Sequence, residues 1–135
     1  MRAAGINWLA VLAAGIAIYA IGFVIYGMAI PPDRYMAMAG ISQAEMDAVG
    51  QSRMPFGILM PLATAGFMAV VFKWGGIADI STGVRWAVFI ALASGIPAMW
   101  YGWVYGVGPI EGTVLDSAHL LMGHAAAGAV LGGWR

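Results

Sequence analysis

Three residues near the C-terminal end carry side chains capable of chemistry: Asp116, His119 and His124. Asp116 and His119 are three apart, so on a helix a carboxylate and an imidazole would lie near enough to pair. His124 lies eight residues beyond Asp116, roughly 12 Å further along a helix, and is turned roughly 140° from His119. The two histidines therefore cannot hold one metal ion from one face, and the i, i+4 pattern of a zinc protease is absent. His124 is a candidate axial ligand for a haem or chlorophyll-type pigment, or a proton relay, with His119 as the second cofactor-binding candidate. The plainer reading of His124 is a neutral side chain bonded across to another helix, at Thr64, Ser94 or a kink carbonyl. Asp116 also has a plainer reading, as an N-cap meeting the positive end of a helix dipole. Its functional alternative is a polar relay or ion handling.

Nothing else in the chain reads as catalytic. There is no nucleophile elbow, phosphate loop, metal-ligand cluster or paired buried carboxylate. There are no cysteines, hence no thiolate site and no disulfide framework. The sequence is read as that of a non-enzyme.

The elements that would position these residues follow from composition. Of 135 residues, 62% are hydrophobic and 9% charged, and the mean hydropathy is +0.87. An average soluble domain is about 45–50% apolar and about 25% charged. The excess apolar surface calls for lipid as the solvent. Six basic and six acidic residues leave no positive excess, so nucleic-acid binding has no electrostatic footing.

A membrane span needs about 20 mostly apolar residues. Four stretches meet this, at about 7–30, 55–74, 85–107 and 116–134. Pro31-Pro32 ends the first, and Pro55 suits the opening turn of the second. The first run is longer than the 7–15 or so apolar residues of a signal peptide, so it is read as a retained span. Pro61 and Pro97 fall inside their spans and predict kinks, with Ser94 beside the second able to bond a nearby carbonyl.

The charges divide by side. Arg2, Lys73, Arg85 and Arg135 share the side of the termini with Asp79 alone. Arg34 and Arg53 face Asp33, Glu45, Asp47, Glu111 and Asp116 on the other. The positive-inside rule then predicts cytoplasmic termini. Trp8, Trp74, Trp86 and Trp134 mark one boundary. Tyr26, Tyr35, Trp100, Tyr101, Trp103 and Tyr105 mark the other, with Trp100 to Tyr105 read either as an interfacial belt or as an aromatic-lined ligand site. In the connection 31–54, Ser42-Gln43-Ala44-Glu45 reads as a capping box, with Ile41 and Met46 as its hydrophobic staple. It predicts a short interfacial helix that ends in a left-handed cap at Gly50.

Small residues mark where membrane helices touch. Gly123, Gly128 and Gly132 form such a face on the last span, joined by Ala129 and Gly133. Ala10, Ala13, Ala14, Ala17 and Gly22 serve the first span, and Ala91 and Gly95 the third. These faces serve either packing within the chain or a partner.

Several motifs together resemble a known family. They are Asn7-Trp8-Leu9-Ala10-Val11-Leu12-Ala13-Ala14, Tyr26-Gly27, Arg34-Tyr35-Met36-Ala37-Met38-Ala39-Gly40-Ile41-Ser42, Leu115-Asp116-Ser117-Ala118-His119 and Gly128-Ala129-Val130-Leu131-Gly132-Gly133-Trp134. The pattern is similar to that of small bacterial membrane proteins, the domain of unknown function seventeen sixty-one. His124 lies outside the pattern, and Pro61 and Lys73 depart from it. The resemblance implies four spans and an inner membrane, and it implies no activity.

The expectation is an all-α integral membrane protein, a four-transmembrane-helix bundle with a short interfacial helix between the first two spans. Its expected role is that of a non-catalytic accessory or structural subunit in the bacterial inner membrane. It would be a homo-oligomer or part of a larger membrane complex, with the lipid bilayer as its surroundings. The alternatives are a binder of a cofactor, pigment or lipophilic ligand through His124 and His119, and a small transporter or channel using the kinks and Asp116.

Overall fold

The computed structural model describes residues 2–134, apart from the side chains of Val49, Gln51 and Met54. Arg135, counted above with the positive side, lies outside the described residues. Four helices are long and apolar enough to cross a membrane: α1 (Trp8–Ala29), α3 (Pro55–Trp74), α4 (Ile80–Tyr105) and α5 (Ile110–Gly133). A shorter helix, α2 (Pro32–Ala39), follows α1. A small antiparallel hairpin, β1 (Arg2–Ala3) and β2 (Ile6–Asn7), precedes it, an addition to the all-α expectation.

Local chemistry explains the boundaries. Asn7 is extended, and its side-chain oxygen accepts the N–H of Leu9 at 3.2 Å, starting α1. Pro31 is extended while Pro32 takes the first turn of α2, so the proline pair ends one helix and opens the next. Gly40, at φ 67°, closes α2 with a left-handed cap. Ser42 and Glu45 form the expected capping box. The turns after it run on as Gln43–Glu45, Met46–Gly50 and Gln51–Arg53, so Gly50 lies within helical backbone and does not end it. The connection thus holds the whole helix α2 ahead of the expected capped turn.

Two expected boundaries move. Asp79 caps α4 by accepting the Thr82 N–H at 2.9 Å, so this helix begins at Ile80, five residues before Arg85. That bond, from a backbone N–H, holds the Asp79 carboxyl below the usual carboxylate range. Helix α5 begins at Ile110, after an extended Pro109, and not at Asp116. Proline disfavours helix at the residue before it and suits the start of the next element, and Glu111 meets the positive helix end.

Each internal proline follows an irregular turn. Pro61 follows a tight turn, Met54–Ile58, that feeds the regular helix from Leu59. Pro97 follows a wide turn, Ala91–Gly95, where Ser94 Oγ donates to the Ile90 carbonyl at 2.9 Å.

Helix α1 packs against α3 on one side and α5 on the other, and α5 packs against α4. At the end holding the termini, Phe72 of α3 reaches the α4–α5 contact and closes the bundle. The buried core lies toward this end. It joins Ala10, Val11, Ala14 and Ile18 to Ala65, Met68 and Phe72, and to Ala87, Ala127 and Leu131.

Candidate functional site

Toward the end with the termini, helices α4 and α5 meet through glycine and alanine. Glycines and alanines recur every fourth residue, as Gly83 and Ala87 on one helix and Gly128 and Gly132 on the other. A Cβ on Gly128 would lie 2.5 Å from the Gly83 carbonyl oxygen and 2.6 Å from the Ala87 Cβ. A Cβ on Gly132 would strike the Asp79 carbonyl and come within 3.2 Å of the Gly83 Cα. Gly123, higher on α5, faces Ile18 of α1 at 3.2 Å. The small face of α5 is therefore occupied within the chain. Gly83 was not among the expected small residues, because a span opening at Arg85 leaves it in a loop. The run Gly83-x3-Ala87-x3-Ala91 is the signal that marks it.

At the opposite end the contacts are polar and aromatic. The Tyr26 hydroxyl of α1 donates to the Asp116 carboxylate of α5. The Tyr26 ring stands edge-on to Tyr35 of α2 at 6.0 Å and to His119 of α5 at 5.5 Å. His119 Nε2 lies 3.4 Å from the Ile18 carbonyl. Its berth exists because residue 22 is glycine, where a Cβ would lie 2.9 Å from Nε2. Trp100 of α4 donates to Ser117 Oγ at 3.2 Å, and that hydroxyl donates to the Thr113 carbonyl at 2.7 Å.

Asp116 is thus not an N-cap. It stands in the second turn of α5, and its partner is a phenol from another helix. Asp116 and His119 are not paired with each other; each instead touches Tyr26. Tyr26 and Ser117 are the contributors that the sequence reading did not assign as partners. The usable signal was that an acid and an indole N–H among apolar helices each need a hydrogen-bonding partner.

His124 is only 7% exposed. Its Nδ1 lies 2.9 Å from the Leu120 carbonyl of its own helix, not from Thr64 or Ser94. A carbonyl only accepts, so Nδ1 carries the hydrogen and a neutral ring keeps its lone pair on Nε2. That tautomer is the one axial ligation through Nε2 uses, and the residue that carries it is buried. His119 and His124 have separate partners and do not converge. Among the described residues, no three His, Asp or Glu side chains converge as a metal site.

Two cavities flank these features. One of about 590 Å³ lies between α2 and α5, lined by Ala29, Met38, Val114 and Leu115, with Arg34 and Glu111 also in its wall. The other, of about 300 Å³, lies at the end with the termini. Neither histidine lines either cavity.

A family model described as a protein of unknown function, DUF1761, matches residues 9–132. The chain belongs to the DUF1761 family. The match takes in nearly all of the four long helices of this DUF1761 chain, and with them Tyr26, Asp116, His119 and the glycine seam. The β1–β2 hairpin lies outside it. Comparison with curated proteins and with solved structures finds no match.

Proposed function

We propose that this DUF1761 protein is a small, non-catalytic integral protein of the bacterial inner membrane, with cytoplasmic termini. It serves as an accessory or structural subunit that packs with itself or with a larger membrane complex. One observation carries the reading. The small face of α5 is already filled, whereas the last ten residues of α4, Ile96–Tyr105, include no fully buried residue. Tyr101, Val104 and Tyr105 are all at least 60% exposed on that stretch. In lipid, helices associate by close packing and cross-helix hydrogen bonds, and an aromatic, glycine-containing surface can supply both.

The test is gentle extraction from native membranes, followed by particle mass and identification of co-purifying chains. The reading expects a particle heavier than one chain plus bound lipid. A particle of one chain contradicts it. For orientation, a reporter active only in the periplasm, fused after Arg135, should stay silent, and strong activity would reverse the topology.

A second reading has its own support. The 590 Å³ cavity between α2 and α5 is mostly apolar, and Asp116 and His119 flank its wall residues Leu115 and Ala118 in sequence. That combination suits a lipophilic ligand with one polar group. Extraction followed by lipid and pigment analysis would detect such a molecule at one per chain.

A further inference from the structure

We propose that the cavity at the end with the termini is a binding site for the phosphate headgroup of an anionic phospholipid. The cavity opens between the β1–β2 hairpin, α3 and α5 and holds about 300 Å³. Two cations line it, Arg2 and Lys73, together with Asn7. No described carboxylate lines it, and the ion pair between Arg34 and Glu111 lies at the far end of the bundle. The rest of the wall is apolar and aromatic, including Phe72, Leu131 and Trp134. Two unneutralised cations above an apolar wall match a phosphodiester attached to acyl chains. Basic pockets between helices hold lipid headgroups by this pairing.

The hairpin is shaped around the site. Ala4 and Gly5 both take left-handed backbone, at φ 53° and 73°, which makes the tight turn that pairs Arg2 with Asn7. Left-handed backbone is uncommon for alanine and persists where its surroundings hold it. Here Lys73 Nζ donates to the Ala4 carbonyl at 2.7 Å, and a Cβ on Gly5 would lie 3.2 Å from the Lys73 side chain. One of the three ammonium N–H groups of Lys73 thus fixes the turn, leaving two for a ligand. The turn in turn carries Arg2 to the cavity wall.

The inference rests on the membrane reading above, and its test separates the two. The full chain is reconstituted into vesicles of phosphatidylcholine alone and of phosphatidylcholine with phosphatidylglycerol. Failure to insert into either refutes the membrane reading. Thermal unfolding of the detergent-solubilised protein is then followed while phosphatidylglycerol, phosphatidylcholine or inorganic phosphate is added. Phosphatidylglycerol should raise the midpoint, and the other two should leave it unchanged. Arg2→Gln, which keeps the Lys73–Ala4 bond, should weaken the half-saturating concentration of phosphatidylglycerol about fivefold, as should Lys73→Gln. Arg85→Gln removes an exposed cation outside the cavity and should respond as wild type does. An equal shift with phosphatidylcholine, a wild-type response from Arg2→Gln, or a full shift with inorganic phosphate alone would each overturn the site.

Discussion

The two ends of the bundle are built on opposite principles. At the end with the termini, glycine and alanine let backbones touch, and at Gly83, Gly128 and Gly132 the seam leaves no room for a methyl group. At the other end, side-chain hydrogen bonds join the helices, from Tyr26 to Asp116 and from Trp100 to Ser117. Helix α4 shows the change along its own length. Gly83, Ala87 and Ala91 are buried before and within its wide turn, and nothing is buried after it. Backbone contact fixes a helix pair rigidly but accepts no substitution. Side-chain bonding tolerates change and leaves space, as the larger cavity at that end shows.

The comparison is broken most severely at the seam. Gly128→Leu drives a side chain into the Gly83 backbone, where neither helix can yield cheaply. A loss of about 3 kcal/mol is expected, read as a fall in the thermal midpoint of the detergent-solubilised protein. An unchanged midpoint would mean that α4 and α5 do not touch there.

The polar end should respond less. Tyr26→Phe removes the donor to Asp116 and should lower stability by about 1 kcal/mol, since the carboxylate is exposed. Tyr35→Phe keeps its ring and loses no described hydrogen bond, so it should stay near wild type. Equal effects from both would remove the Tyr26–Asp116 bond from the account.

A still smaller effect comes from the cap of α4. Because hydrogen bonding lowers the folded-state pKa of Asp79, its contribution is complete above the ordinary carboxylate pKa of about 3.9 and is lost as pH falls through the lower folded value. Asp79→Ala should therefore destabilise at neutral pH and lose that difference in strong acid. A gap from wild type that does not change with pH would contradict this. Arg34→Gln should change almost nothing, because its ion pair with Glu111 is 3.8 Å long and exposed on both sides. A loss comparable to that of Tyr26→Phe would show that the pair has a larger role.

Much of this was readable from the residues. Hydropathy and proline placed the second span at 55–74, the bounds that α3 has, and the Ser42–Glu45 box formed as its spacing dictates. These are local properties, carried within one element. The misreadings arose where a charge was taken for a boundary. Arg85 and Asp116 lie within helices, because an arginine stem can reach toward water and a neighbouring tyrosine can satisfy a carboxylate. The union of Tyr26 with Asp116, ninety positions apart, depends on how α1 and α5 are rotated about their axes, which no local pattern encodes. His124 was readable as a polar residue on an apolar helix, but not as one that bonds its own Leu120 carbonyl.

The small face of α5 is closed within the chain, and we propose that the outer stretch of α4 is the surface that meets other subunits. The chain has no cysteine, so single introduced thiols report one place at a time. Val104→Cys, at a 60% exposed position, and Ala127→Cys, at a fully buried one, are each labelled in native membranes with a maleimide-linked photo-cross-linker. The account predicts a protein adduct, to a second copy or a larger chain, from position 104 and none from position 127. An adduct from 127, or none from 104, would contradict it.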